Sequence, residues 1–260
     1  GRFTVGTPRT SDGSLLFLQH LIHKMNPEGS RIGIVFNGSP LFSGDAGSGE
    51  SEIRKWIIEN DWLECIVQLP DQLFFNTGIT TYFWIVTNKK SKERKGKVQL
   101  IDGSSFYKEM KKSLGSKRKG ISIEQSDHLF NIYKSFEEGE FSKIHSNNFF
   151  GYTKVVVEQP LKENGDLFTN KKGEKKPDSS KRSTERILLS VDINEYFEKE
   201  VQPHLRDSWM DRSKDKIGYE LNFSKYFYIN KPIRNFREIS AEIKLLDKEI
   251  KELTIQINDD

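Results

Sequence analysis

The sequence predicts an α/β fold, followed by an α-rich C-terminal region that ends in a long amphipathic helix. Two apolar runs with strand character, residues 31–36 and 63–69, alternate with apolar stripes at helical spacing. A third apolar run, residues 80–86, follows the second after a short loop. Near the C-terminus, apolar residues recur every three or four positions over residues 239–257.

The first part of the chain alternates helix and strand. Leu15, Leu18 and Ile22 mark a helix that ends near Pro27, and the run 31–36 predicts the next strand. An apolar stripe over residues 50–60 predicts a second helix, which leads into the run 63–69. Because strands joined by a helix usually run parallel, this order predicts a parallel sheet with helices on both faces.

The runs 63–69 and 80–86 must pair antiparallel, since too few residues separate them for a crossover helix. Residues 98–101 are expected to add a strand to the same sheet, and beyond residue 103 the alternation is lost. We predict three regions: 1–119, the α/β part; 120–236, mixed but mainly helical, with a flexible linker near 170–183; and 237–260, a coiled-coil-like helix.

The loop at residues 70–78 carries two adjacent aromatic residues where the chain is expected to face solvent. Phe74 and Phe75 stand beside turn-forming Asn76 and Gly78. Either they contact a ligand or they pack under the loop, and we expect one to be core and one exposed. Thr77 and Gly78 are expected to shape the loop, with a positive φ at Gly78.

The net charge is only +3, but two segments concentrate the basic residues, 108–119 and 171–186. They are interpreted either as solvated loops or as contacts to DNA phosphates. The residues predicted to contact the DNA backbone are Lys111, Lys112, Lys117, Arg118 and Lys119.

Composition narrows the class of protein. The single cysteine, Cys65, lies in a predicted strand and is interpreted as a small core residue, which suits a reducing cytoplasm. No apolar run approaches the roughly 20 residues that cross a bilayer, so no membrane role is expected. His20 and His23 lack a third ligand in a recognisable pattern, so no metal site is expected.

The last segment shows the two-per-heptad spacing of a coiled-coil seam. Its narrow stripe favours pairing with a partner helix over docking on its own domain. The seam residues are Ile239, Ile243, Leu246, Ile250, Leu253 and Ile257.

Several ordered segments resemble one family, the modification subunit of type I restriction-modification systems, an adenine-N6 DNA methyltransferase. They are residues 39–42 (SPLF), 69–84 (LPDQLFFNTGITTYFW), 149–152 (FFGY), 157–161 (VEQPL), 200–204 (EVQPH), 217–222 (IGYELN) and 226–228 (YFY). The resemblance implies the second half of a Rossmann-like methyltransferase sheet with a terminal antiparallel hairpin. It also implies a pocket for the target adenine at Phe74, Phe75, Thr77 and Gly78.

Two motifs of that family are missing from this sequence: the Phe-x-Gly-x-Gly loop for S-adenosylmethionine and the catalytic Asn-Pro-Pro-Phe or Asn-Pro-Pro-Tyr motif. The chain therefore looks like the C-terminal part of the subunit, and no catalytic or cofactor-binding residue is assigned to it. S-adenosylmethionine is expected for the full-length enzyme and no cofactor for this part, which we expect to be inactive alone. By resemblance, its partners are DNA, the specificity subunit and the restriction subunit.

Three hypotheses remain open from the residues. The chain is part of the methyltransferase, or it is a non-catalytic assembly module that acts through its seam and basic surface. A nucleotide-binding oxidoreductase would instead use the glycine-rich loop at residues 44–49, although its glycines do not follow the Gly-x-Gly-x-x-Gly order.

Overall fold

The computed structural model describes residues 1–163, 166–169, 173, 175–228 and 235–258. The chain forms two compact units, residues 1–227 and residues 228–260. The first unit runs through the boundary predicted near residue 120 because residues on both sides of it share one core. Of the predicted linker, residues 170–172 and 174 lie outside the described residues.

The first unit contains strands and helices in mixed order. Its α-helices in the described residues are α1 (Ser14–His23), α2 (Ser39–Phe42), α3 (Gly49–Glu59), α4 (Ile123–Ser135), α5 (Ile193–Tyr196) and α6 (Phe223–Tyr226). Its strands are β1 (Arg31–Phe36), β2 (Leu63–Leu69), β3 (Thr81–Thr87), β4 (Lys97–Asp102), β5 (Lys108–Leu114), β6 (Lys117–Gly120), β7 (Ser142–Ser146), β8 (Gly151–Glu158), β9 (Lys162–Glu163), β10 (Asp166–Leu167), β11 (Ser183–Leu188) and β12 (Trp209–Tyr219).

The main sheet has five strands in the order β1, β3, β2, β4, β7. The predicted antiparallel pairing of the second and third apolar runs is confirmed, since β2 and β3 are antiparallel neighbours. This pair is not terminal, as had been expected, because β1 pairs with β3 on one side and β4 pairs with β2 on the other. β2 and β4 are parallel, which makes the sheet mixed.

Helices α1 and α3 cover one face of this sheet and enclose the larger core. Their apolar stripes are buried against side chains of alternate residues in each strand, which point to this face. The fully buried centre of this core includes Leu18, Ile53, Ile57, Trp84 and Leu100.

Helix α4 covers part of the other face, over a smaller core. Cys65, Val67 and Ile101 are buried there against Leu129 and Ile132 of the helix. The interpretation of Cys65 as a small core residue is confirmed, and burial raises the pKa of its thiol. α4 begins with a capping box formed by Ser122 and Gln125.

The prediction that residues 120–236 are mainly helical is wrong for the residues that the structure describes. β8 is the central strand of a three-stranded antiparallel sheet in the order β11, β8, β12. The middle of β12 is strongly charged and lacks the apolar alternation that is typical of a strand, which explains why this strand was not predicted. Its Lys214 is paired with buried Glu158 of β8 at 3.0 Å.

The second unit, considered by itself, contains the helix α7 (Phe236–Asn258). No helix in the described parts of the chain is both long enough and apolar enough to cross a membrane.

Candidate nucleic-acid interface

The carboxyl ends of three strands meet at one edge of the main sheet. β2 and β4 are parallel, and β1 shares their direction because β1 and β2 are both antiparallel to β3. The loops that follow β1, β2 and β4 therefore lie at the same edge. In open α/β sheets this edge is where ligands usually bind.

The loop between β2 and β3 holds both predicted aromatic residues at the surface. Phe74 is 39% exposed and Phe75 is 59% exposed, so the expectation that one of them is core is wrong. The positive φ expected at Gly78 is found at Gln72 instead, at 54°. The backbone N–H of Thr77 donates to the Phe74 carbonyl at 3.5 Å and closes the turn. Two exposed rings at this edge are free to stack on a planar group.

The basic segment 108–119 forms the β5–β6 hairpin, which lies against this loop. The backbone N–H groups of Arg118 and Lys119 donate to the Gln72 carbonyl at 3.0 and 3.2 Å. At the hairpin turn, the N–H of Ser116 donates to the Phe75 carbonyl at 3.0 Å. The structure thus brings together the two sets of site residues that were predicted separately from the sequence.

Four of the five predicted phosphate ligands project from this hairpin with accessible side chains. Lys111, Lys112 and Arg118 are exposed, and Lys117 is half-buried. Positive charge next to exposed aromatic rings is the combination with which proteins bind unpaired nucleotides, since the charge contacts phosphates and the rings stack on bases.

Lys119 is arranged differently from the other four. Its side chain is only 14% exposed, and its Nζ lies 2.6 Å from Oδ1 of Asp71. The same Nζ lies 3.9 Å from the centre of the Tyr107 ring. The hydrogen bond to Asp71 raises the pKa of Lys119, so this ammonium stays charged and engaged within the protein at neutral pH.

Tyr107 and Gly115 are site residues that sequence reasoning missed, and Asp71 was considered only as a ribose ligand of the nucleotide-binding alternative. Gly115 has φ of 60°, and a Cβ there would lie 2.9 Å from the Phe75 carbonyl oxygen. A Gly-Ser pair between two basic runs is a turn signal that predicts a hairpin. No local pattern pairs Asp71 with Lys119, because that contact depends on how the hairpin docks.

The glycine-rich loop at residues 44–49 is filled by the chain itself. Ser48 caps α3 by accepting a hydrogen bond from the Ser51 N–H. A Cβ at Gly49 would lie 1.9 Å from the Thr7 carbonyl oxygen, so this glycine allows the N-terminal segment to pack closely. The buried guanidinium of Arg54 donates to the Gly44 carbonyl at 3.3 Å. These contacts explain the loop without a nucleotide and give the oxidoreductase alternative no support.

An apolar cavity of about 470 Å³ lies between α4 and the sheet. Val67, Phe83, Ile85 and Leu129 line it, and none of the predicted site residues does. Within the described ranges, no group of three or more His, Cys, Asp or Glu side chains is placed to hold a metal ion.

The α7 helix carries the predicted seam on an accessible surface. Four seam residues are between 37% and 61% exposed: Ile239, Ile243, Leu246 and Ile250. The backbone is helical at Leu253 and Ile257, but their side chains lie outside the described residues. An exposed apolar stripe with this spacing is typical of a helix that pairs with another helix.

Residues 1–179 match the family described as N-6 DNA Methylase. The chain is 32% identical over 173 residues to the type I restriction enzyme MjaIX methylase subunit of Methanocaldococcus jannaschii, covering 65% of this chain and 28% of that protein. It is 40% identical over 101 residues to the HindI methylase subunit of Haemophilus influenzae, covering 39% of this chain and 22% of that protein.

A solved structure shows the same relationship. The methyltransferase subunit of a type I restriction-modification system from Streptococcus thermophilus is 26% identical, with a TM-score of 0.50, over 57% of this chain and 30% of that one. The chain thus matches less than a third of the length of each of these relatives. The resemblance to type I modification subunits is confirmed, and with its family match extending over more than half of its length, the chain belongs to the N-6 DNA methylase family.

Proposed function

We propose that this chain is the C-terminal part of the methylase subunit of a type I restriction-modification system. In this proposal the complete enzyme acts in the cytoplasm and transfers a methyl group from S-adenosylmethionine to N6 of adenine in DNA. The chain would supply part of the target-base pocket, a DNA-backbone contact and a subunit interface, and would be inactive alone. The observation that carries the proposal is the contact between the exposed aromatic loop and the basic hairpin at the carboxyl edge.

The aromatic loop is assigned to the target base. An enzyme that modifies a base takes it out of the stack, and stacking on a protein ring repays about 1–3 kcal/mol of that cost. Phe74 and Phe75 are accessible for this role. Thr77 and Gly78 would shape the approach to the rings, since the Thr77 N–H closes the turn and no atom lies within 4 Å of the position of a Cβ on Gly78.

The glycine-rich loop at residues 44–49 does not fit S-adenosylmethionine. At the glycine-rich loop, which opens α3, Gly49 packs against the Thr7 carbonyl, Ser48 caps the helix, and the Gly44 carbonyl accepts a hydrogen bond from Arg54. The cofactor-binding site and the catalytic motif would lie in another part of the methylase subunit.

The edge of the main sheet is consistent with such a division. In the part of the chain that the structure describes, β1 is an outer strand that pairs with β3. Val35 of this strand is 42% exposed. Beside the strand lies a pocket of about 560 Å³ that Phe17 and Leu21 of α1 help to line. An exposed apolar strand edge is a position where a sheet is commonly continued or covered. This supports a sheet that continues into the rest of the subunit.

A salt-dependence experiment tests the DNA contact. In the assembled methyltransferase that contains this chain, Lys111, Lys112 and Lys117 are changed together to glutamine, and duplex affinity is measured between low and high salt. Each lost phosphate contact lowers the slope of log affinity against log salt by about 0.9, so the expected decrease is roughly 3.

The matched control removes the same charge from the opposite edge of the sheet. Lys92, Lys95 and Lys97 are exposed near the start of β4 and are likewise changed to glutamine. The control is expected to keep the wild-type slope. Equal slopes for the two triple variants would show that the hairpin is not part of the DNA interface.

The α7 seam is assigned to the specificity subunit as its partner, with the restriction subunit joining that assembly for DNA cleavage. Deletion of residues 236–258 is expected to abolish capture of the specificity subunit in a pull-down. As a milder change, Ile243→Asp with Leu246→Asp places two charges in the apolar seam and should have the same effect. Lys244→Asp with Lys248→Asp is the control, because these positions lie off the seam. Undiminished capture by the seam variant would contradict the assignment.

A further inference from the structure

We infer that Asp71, Lys119 and Tyr107 form a strut that positions the aromatic loop, so that Lys119 is a positioning residue and not a phosphate ligand. This inference rests on the proposed function, because it concerns how the base-stacking rings are held. The juxtaposition that carries it is the Lys119 ammonium, enclosed between the Asp71 carboxylate at the start of the loop and the Tyr107 ring at the foot of the hairpin.

The foot of the hairpin is fixed to the body of the protein. Lys108 pairs with Gly120 across the two strands, and Nε2 of Gln125 on α4 donates to the Tyr107 carbonyl at 2.9 Å. Gln125 is itself held by the capping box at the start of α4. Tyr107 is therefore a fixed wall against which Lys119 rests, and the ion pair connects that wall to Asp71.

The turn of the hairpin reaches the other end of the same loop. The Ser116 N–H donates to the Phe75 carbonyl, and the aromatic ring of Phe75 lies 3.7 Å from the place where a Gly115 Cβ would stand. Between these points, Gln72 accepts the two N–H donors of β6 in its left-handed conformation. The loop is thus attached to the hairpin at its start and beside its exposed ring, and Asp71–Lys119 is the charged attachment.

This arrangement assigns different tasks to neighbouring lysines. Lys111 and Lys112 are exposed and therefore available to phosphates, whereas the Lys119 charge is already compensated by Asp71 and covered by a ring. A loop that is already held in one conformation loses no conformational freedom when the base binds. This preorganisation favours the reactive geometry. The strut is therefore expected to affect the rate of methylation at saturating DNA more than DNA affinity.

The test uses the assembled methyltransferase and four variants: Asp71→Asn, Lys119→Met, the double variant, and Lys112→Met as a control with the same loss of charge. Single-turnover methylation is measured at saturating DNA. Base extrusion is followed with a duplex that carries 2-aminopurine in place of the target adenine. Thermal unfolding of each variant confirms that it is folded, and a variant that unfolds early is replaced by Asp71→Glu, which lengthens the strut but keeps its charge.

Asp71→Asn gives opposite results under the two interpretations of Lys119. If Lys119 positions the loop, Asp71→Asn lowers the rate and the 2-aminopurine signal by about 10-fold or more while affinity stays equal or rises. Lys119→Met gives the same loss, and the double variant is no worse than either single one because both break one contact. If Lys119 is a phosphate ligand, Asp71→Asn frees it for DNA and lowers neither quantity, and Lys119→Met weakens binding as Lys112→Met does. That second pattern overturns the inference.

A fifth variant separates this inference from the function on which it rests. Phe75→Ala removes the ring itself and is expected to slow methylation at least as much as Asp71→Asn. Slow methylation by the Phe75→Ala variant together with a normal rate for Asp71→Asn would refute the strut but not the base pocket. A normal rate for a variant in which both Phe74 and Phe75 are changed to alanine would refute the proposed base contact, and the strut together with it.

Discussion

The two faces of the main sheet are stabilised in different ways. The face under α1 and α3 is a broad apolar core that also includes Phe150, Tyr219 and Leu221 from the region of the second sheet. The face under α4 has a small apolar core, a buried ionic network and an apolar cavity of about 470 Å³. α4 itself contributes no fully buried residue. The first face is the rigid support, and the second carries the connections to the functional loop and hairpin.

Each face contains a buried arginine, and the contacts of the two arginines differ in the same way as the two faces do. Arg94 lies on the α4 face, where its Nε is 3.7 Å from Oε1 of Glu64 and its guanidinium lies over the rings of Tyr133 and Phe136 at 4.4 and 4.3 Å. Arg54 lies on the other face and is surrounded by backbone carbonyls. Glu64 is only 1% exposed and also pairs with the exposed Arg31 at 3.2 Å. One arginine thus neutralises a buried charge, and the other joins segments of backbone.

The largest expected effect comes from Arg54→Met. Arg54 donates to the carbonyls of Tyr219 at 2.6 Å, Ser43 at 2.8 Å, Pro40 at 3.2 Å and Gly44 at 3.3 Å. Burial lowers its pKa to about 10, so it remains a cation at neutral pH and these oxygens replace its water. Methionine fills the space but leaves the carbonyls without a donor, which is expected to lower the free energy of unfolding by about 3–5 kcal/mol.

Urea denaturation of the purified chain measures this loss, and Arg31→Met is the control from the opposite face. Arg31 is 58% exposed, and Glu64 keeps Arg94 and Tyr133 as partners when Arg31 is removed. Its loss is expected to cost less than about 1 kcal/mol. Similar losses for the two variants would show that Arg54 does not join the second sheet to the core.

How far the sequence predicted the fold depends on the range of the contacts involved. The strands β1 and β2 have the predicted bounds, because an apolar run ended by polar and turn residues is a local signal. The position of β3 between β1 and β2 is not local, and neither is the contact of Arg54 with the Tyr219 carbonyl. β12 was missed because its middle is charged. Lys214 there pairs with Glu158 of β8 and with Asp211 of its own strand, and hydrophobic periodicity does not reveal such ion pairs.

For the candidate site, too, local features were predictable from the sequence and long-range contacts were not. The aromatic loop and the basic segment were each identified from composition and turn signals, and both lie at the surface, although only one of the two rings was expected to be exposed. Their contact was not predicted, because it depends on backbone hydrogen bonds to Gln72 and Phe75 and on the close approach allowed by Gly115. Lys119 was grouped with its neighbours for the same reason, since only the docked hairpin shows that its charge is directed toward Asp71.

The smallest expected effect is a difference between two identical truncations, one on each face. Val98 is fully buried in the larger core, and Val67 is 8% exposed and lines the cavity. Val98→Ala leaves a new void among packed neighbours and is expected to cost about 2–3 kcal/mol. Val67→Ala enlarges space that is already there and loses fewer contacts, so about 1–1.5 kcal/mol is expected. The same urea experiment resolves this difference of roughly 1 kcal/mol. Equal losses would mean that the α4 face is packed as tightly as the other in solution, and the division into a rigid support and a looser functional side would then be wrong.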